Sequence, residues 1–275
     1  MKLNLDPNFN PFPGAHTIEF EAFTFHGGEP HIKIKSDLTK VEAVTISHRI
    51  QSFNDMGLFL VAVDALRRMG VKNISAYIPY FPAARQDRVM IPGEALSVKV
   101  YADLFNAVKL NEITVFDPHS EVTPAVLDHC NAIDNHSFIK EVLTDLSDDV
   151  ILISPDGGAL KKIYKLAAKL QDYDVVECSK SRDVKTGKLS GFQVYHEDLE
   201  GRDCLIVDDI CDGGGTFMGL AGALKEKNAG KLYLAVSHGI FSKGTEKLNE
   251  VFDGIYCTNS FRTIAESEKV KQIAI

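Results

Sequence analysis

Short runs rich in β-branched residues alternate along the chain with longer stretches whose apolar positions recur every three or four residues. That alternation predicts strands interleaved with amphipathic helices, and hence α/β layering over a mostly parallel sheet. In the first half, 41–46 reads as a strand and 56–69 as a helix with Leu58, Val61, Ala62, Ala65 and Leu66 on one face. A strand over 73–78, a helix over 96–107 and a strand over 113–116 follow. Pro7, Pro11, Pro13 and Gly14 predict an irregular lead-in ahead of them. The series then begins again. A strand over 150–154 precedes a helix through Leu160, Ile163, Leu166 and Leu170, a strand over 174–177 and a polar excursion over 179–191. After it come a buried strand (204–207), a helix (216–227), a strand (232–236), a helix (243–251) and a strand (254–257). The repetition predicts two similar α/β domains, residues 1–143 and 144–275, with no low-complexity linker at the join near 138–150.

Composition narrows the class. The chain has 275 residues, 45% hydrophobic and 25% charged, which excludes disordered and fibrous classes. With 30 Lys+Arg against 38 Asp+Glu the net charge is −8, so a nucleic-acid-binding surface is not expected. The cysteines, Cys130, Cys178, Cys204, Cys211 and Cys257, are odd in number and never spaced C-x-x-C. Neither a disulfide framework nor a zinc knuckle fits, and reduced thiols in the cytoplasm are expected. Met1 to Asp6 has no apolar leader, and no run approaches the roughly 18 apolar residues of a membrane span.

The chemistry concentrates in Leu205-Ile206-Val207-Asp208-Asp209-Ile210-Cys211-Asp212-Gly213-Gly214-Gly215-Thr216. An apolar strand meets two carboxylates, then a glycine turn, then a helix. Polar groups at the carboxyl end of a parallel strand sit where open α/β sheets bind ligands. Three glycines let successive backbone N–H groups converge and the helix start adds partial positive charge, so a phosphate is the natural guest. Carboxylates beside a phosphate must address something neutral or cationic, and sugar hydroxyls and a magnesium ion both meet that need. No G-x-x-x-x-G-K-[ST] occurs, and Met218 stands where G-x-G-x-x-G would need its last glycine, so neither a P-loop nor a Rossmann site is expected. Arg85 and Arg88 place two guanidiniums within one turn, suited to a polyphosphate.

The acidic strand and glycine turn resemble the phosphoribosyl-diphosphate loop of type I phosphoribosyltransferases. Arg85-Gln86-Asp87, Asp117-Pro118-His119, Ser154-Pro155-Asp156-Gly157-Gly158, Lys180-Ser181-Arg182 and Ser237-His238-Gly239-Ile240-Phe241-Ser242 each resemble, in order, the ribose-phosphate pyrophosphokinase family. The resemblance spans nearly the whole chain. It implies two type I phosphoribosyltransferase-like domains with an active site in the cleft between them, ATP on the N-terminal side and ribose 5-phosphate on the C-terminal side. It implies the reaction ATP plus ribose 5-phosphate giving phosphoribosyl diphosphate plus AMP, for nucleotide and NAD precursor synthesis. Arg85 and Gln86 would hold the triphosphate, oriented by Asp87. Phe25 would stack on adenine and Glu29 meet its amino group, with Gly27 where relatives carry Asp or Asn and a neighbouring subunit completing that site. His119 and Asp156 would contact ATP-bound Mg2+. Asp208 and Asp209 would take the ribose hydroxyls, and Asp212, Gly213, Gly214, Gly215 and Thr216 the 5-phosphate. Lys180 and Arg182, on a mobile flap, would stabilise the transferring group. A homo-oligomer, a dimer or a hexamer of dimers, is implied. A phosphoribosyltransferase that joins the sugar to a base would use the 208–216 segment but not Arg85-Gln86-Asp87 or Lys180 and Arg182. A regulatory paralogue would have lost cations and carboxylates that are all present here.

Overall fold

The computed structural model describes residues 1–170, 173–182 and 189–275, with 181–182 and 189–190 described by backbone alone. The chain forms two compact units, 1–134 with 260–263 and 275, and 135–259 with 264–274.

In the first unit β1 (Lys2–Asn4), the hairpin β2 (Phe20–Thr24) and β3 (Pro30–Ile34), and β4 (Ala43–Ser47) lead into α1 (Phe53–Arg68). Then come β5 (Asn73–Tyr77), α2 (Ser97–Ala107), β6 (Glu112–Phe116), α3 (Val122–Val126) and β7 (Cys130–Ile133). The main sheet runs β1-β4-β5-β6-β7, parallel throughout. Helix α1 has a reciprocal cap: the Asp55 N–H donates to the Ser52 hydroxyl (3.2 Å) and the Gln51 N–H to the Asp55 carboxylate (3.0 Å). It stops at Gly70, whose φ of +89° suits glycine, as the Val71 N–H reaches back to the Leu66 carbonyl (3.1 Å). Its inner face, Met56, Phe59, Ala62, Val63 and Leu66, packs with Ile46, Ile74 and Phe105 in the core.

The second unit begins with α4 (His136–Leu143) and β8 (Ile151–Ser154), followed by α5 (Leu160–Leu170), β9 (Val175–Arg182) and β10 (Leu189–Val194). It ends with β11 (Cys204–Cys211), α6 (Gly215–Glu226), β12 (Leu232–Gly239), α7 (Glu246–Asn249), β13 (Gly254–Thr258) and β14 (Val270–Ile273). Strand order is β10-β9-β8-β11-β12-β13-β14, and only β10 runs antiparallel to its neighbour. β8, β11, β12 and β13 are almost wholly buried, as expected for strands covered on both faces. Among the described residues no helix is long and apolar enough to cross a membrane.

Three expectations change. The lead-in is not all irregular: Leu3 and Leu5 are buried, and Lys2–Asn4 pairs in parallel with Thr45–Ser47. The polar excursion is instead the continuation of β9 to Arg182 and its antiparallel return as β10, with Cys178 opposite Val194 and Arg182 opposite Leu189. Polar side chains hide that ribbon from a hydrophobic reading. The predicted helix over 243–251 shrinks to Glu246–Asn249, because Gly244 (φ +73°) turns the chain before it.

Candidate active site

In the second unit β11 carries its carboxylates inside the strand rather than beyond it: Asp208 pairs in register with Val236 and Ile210 with His238. Asp209 is 8% exposed and donates its N–H to the Asp208 carboxylate at 2.9 Å. Burial first, then the neighbouring charges of Asp209 and Asp156, push the Asp208 carboxyl well above its ordinary value. Such a set is unfavourable by itself and is relieved by a cation or by hydroxyl donors.

Beyond Cys211 the chain turns through Asp212, Gly213 and Gly214 into α6. Gly214 is the N-cap, at φ +76°, and no side chain caps the helix. A Cβ at 214 would sit 3.0 Å from Leu248, so glycine answers both the backbone conformation and the packing. The first intrahelical bond is donated by Met218 to the Gly214 carbonyl. The N–H groups of Gly215 and Thr216 therefore have no helical acceptor and lie at the positive end of the helix dipole. All five predicted phosphate residues, Asp212 to Thr216, thus fall on one turn.

Asp156 follows β8. One carboxylate oxygen accepts from the Gly158 and Ala159 N–H groups (2.9 and 3.0 Å), and the other pairs with Lys180 of β9 at 2.7 Å. Burial alone would raise the Asp156 carboxyl, but the Lys180 ammonium and the two amides outweigh it and hold the group below its ordinary value. Asp156 and Lys180, predicted for different tasks, are therefore direct partners here. The side chain of Arg182 and residues 183–188 of the expected flap lie outside the described residues.

In the first unit Arg85, Gln86 and Asp87 form the loop after β5. Buried Phe81 and Ala84 anchor it, and Ala83 takes a left-handed φ of +57° while the Gln86 N–H closes onto the Ala83 carbonyl (2.8 Å). Arg85 and Gln86 are exposed, whereas Asp87 points inward. Burial works to raise the Asp87 carboxyl, but the Ser120 hydroxyl, the Arg88 guanidinium (3.1 Å) and the imidazole of His119 together hold it below its ordinary value. Asp87 thereby ties the Arg85-Gln86 loop to the His119 loop after β6, where Asp117 also adopts a positive φ (+38°). Strained residues at strand ends, costing of order 1–3 kcal/mol each, are a mark of functional loops. Ser120 was not among the predicted residues, and only its place beside His119 signals it. His119 and Asp156 belong to different units.

Phe25 and Glu29 close the turn of the β2–β3 hairpin, the Phe25 N–H donating to the Glu29 carbonyl at 2.9 Å. Phe25 is 53% exposed, and its ring meets Phe23 edge-on at 4.8 Å and His31 at 5.6 Å. A Cβ at Gly27 would lie 2.6 Å from the Glu29 carboxylate, so the acid folds over the place where a side chain at 27 would stand. Thiolate chemistry at neutral pH is disfavoured at four of the five cysteines: burial pushes the Cys211 and Cys178 thiols up to about 12 and those of Cys130 and Cys204 to about 11.

Two family models match, the N-terminal domain of ribose phosphate pyrophosphokinase over residues 12–108 and a phosphoribosyl transferase domain over 129–272. A ribose-phosphate pyrophosphokinase of Shewanella oneidensis is 32% identical over 257 residues, covering 90% of this chain and 80% of that protein. One from Vibrio cholerae is 32% identical over 262 residues, covering 91% and 82%. The fold is that of the crystal structure of phosphoribosylpyrophosphate synthetase from Mycobacterium smegmatis, with a TM-score of 0.82 at 23% identity over 100% of this chain and 94% of that one. With its carboxylate strand, glycine turn and arginine loop set in two phosphoribosyltransferase-type α/β domains, the chain belongs to the ribose-phosphate pyrophosphokinase family.

Proposed function

We propose that the protein is a cytoplasmic, homo-oligomeric ribose-phosphate diphosphokinase that moves the β,γ-diphosphoryl group of ATP to the anomeric hydroxyl of ribose 5-phosphate. The observation that carries this reading is the continuity of Asp208 and Asp209 with the amide-lined turn at the start of α6. It offers hydroxyl acceptors and a phosphate cradle on consecutive segments of one chain. Asp212, Gly213, Gly214, Gly215 and Thr216 bind the 5-phosphate through backbone N–H groups and the Thr216 hydroxyl. Asp208 and Asp209 accept from the ribose hydroxyls. In the other unit Arg85 and Gln86 grip the triphosphate while Asp87, anchored on Ser120, holds their loop. Phe25 and Glu29 address the adenine.

Among the described residues no three His, Cys, Asp or Glu side chains gather into a ready-made metal cage, but magnesium is ordinarily held by one or two carboxylates together with substrate phosphates, and the adjacent Asp208 and Asp209 offer such a pair. Asp208 and Asp209 would hold an ion at the sugar, while His119 in the first unit and Asp156 in the second would each be a contact for nucleotide-bound Mg2+. Bound there, magnesium supplies charge neutralisation for the phosphates.

In the transfer the anomeric oxygen forms a bond to the β-phosphorus and the bond from that phosphorus to the α–β bridging oxygen breaks. AMP leaves with the bridging oxygen, and the hydroxyl proton passes to solvent. The protein's work is positioning and charge stabilisation. Lys180 and Arg182 stabilise the departing charge, which requires Lys180 to exchange Asp156 for the phosphates. The test is to mix pure protein with ATP, Mg2+ and ribose 5-phosphate and identify the nucleotide formed. AMP is expected, and ADP would mean ordinary phosphoryl transfer.

A further inference from the structure

We propose that Lys243 is an additional ligand of the sugar's phosphate, reaching over the 212–216 turn from the loop that follows β12. The inference rests on the reading of that turn as the ribose 5-phosphate site. Three backbone bonds fasten the Lys243 loop to the turn. The N–H groups of Ile240 and Phe241 donate to the Cys211 carbonyl (2.9 and 3.0 Å), and that of Ser242 donates to the Asp212 carbonyl (3.1 Å). Phe241 is buried and held at φ +44°, so the loop is built in place rather than draped. The Lys243 stem lies across Gly213: its Cδ and Cε are each 3.5 Å from where a Cβ at 213 would be. The ammonium, one C–N bond of about 1.5 Å further on, is therefore within about 5 Å of that point.

Charge explains why a cation belongs there. Asp208, Asp209 and Asp212 make the surroundings of the turn strongly negative. A sugar phosphate adds about −1.5 to −2 at neutral pH. The helix start offers only about half a positive charge in return. Lys180, the cation described above in this unit, is engaged by Asp156. Lys243 is exposed, and among the described residues it forms no ion pair. A compact ammonium on a flexible stem suits a phosphate that arrives from solvent.

The experiment is calorimetric titration of the full chain with ribose 5-phosphate, with ribose and with ATP, for the wild type, Lys243→Met and Lys243→Arg. Methionine keeps the apolar stem over Gly213 and removes the charge. Lys243→Met should bind ribose 5-phosphate about tenfold more weakly, a charge-assisted contact tempered by solvent, with ATP affinity unchanged. Lys243→Arg should recover most of the loss. Lys243→Met binding ribose 5-phosphate within twofold of the wild type overturns the assignment, as does an equal loss for ATP. Wild-type protein that holds ribose 5-phosphate no better than ribose would instead remove the phosphate site itself, and Lys243's role with it.

Discussion

Replacing Asp208 by Asn removes, at nearly constant size, the carboxyl group that feels the charges of Asp209 and Asp156. Burial and the charges of Asp209 and Asp156 hold the Asp208 carboxyl well above its ordinary value of 3.8, so the folded chain keeps a proton that the unfolded chain releases. A raised folded value contributes stability in full below the unfolded value and loses it as pH climbs through the folded one. Between those limits one retained proton makes stability fall by about 1.4 kcal/mol for each pH unit. Asparagine has no proton to lose. Urea unfolding of ligand-free protein at closely spaced pH values from about 4 to 8 should therefore show the wild type losing ground on Asp208→Asn as pH rises. The limiting slope of the difference is about 1.4 kcal/mol per unit. Ribose 5-phosphate binding should move the opposite way and weaken in the variant, because a strained site is relaxed at the expense of its ligand. Parallel stability curves for the two proteins would refute the coupling.

Three more perturbations separate the parts of the site. Lys180→Ala should cut kcat by about a hundredfold or more while ATP affinity, measured by titration, stays within a few-fold; equal losses in both would contradict a role confined to the transition state. Gly214→Ala should lower thermal stability by about 1–2 kcal/mol, since an L residue at φ +76° is strained and its Cβ meets Leu248 at 3.0 Å. It should also weaken ribose 5-phosphate more than ATP, and an unchanged melting temperature would count against it. Asp87→Asn weakens the link from the Arg85 loop to Arg88 and His119, and should raise KM for ATP about tenfold with KM for ribose 5-phosphate unchanged. A rise in both KM values would make Asp87 a general structural residue.

What could be read from the chain alone follows physical lines. α1, β5, β8, α6 and β12 carry their own hydrophobic period, so local pattern sufficed. β1, β10 and β14 are defined by the strands they pair with, and runs of three to six residues with mixed polarity show no period of their own. The apolar run predicts β11 only to Val207 because two carboxylates interrupt it, yet pairing to β12 carries the strand through to Cys211. The 212–216 turn was legible because glycine spacing and the helix start are local chemistry. The contacts Lys180–Asp156, Asp87–Ser120 and Lys243–Gly213 join distant segments through tertiary packing, which no spacing along the chain encodes.

The fate of the β-phosphorus tests transfer of two phosphates as one unit most directly. With ATP, Mg2+ and ribose 5-phosphate, phosphorus NMR should show the β and γ signals of ATP converting into the two coupled signals of a diphosphate on the sugar's anomeric carbon, matched by AMP. A lone phosphate on that carbon, with ADP accumulating, would contradict the proposed reaction.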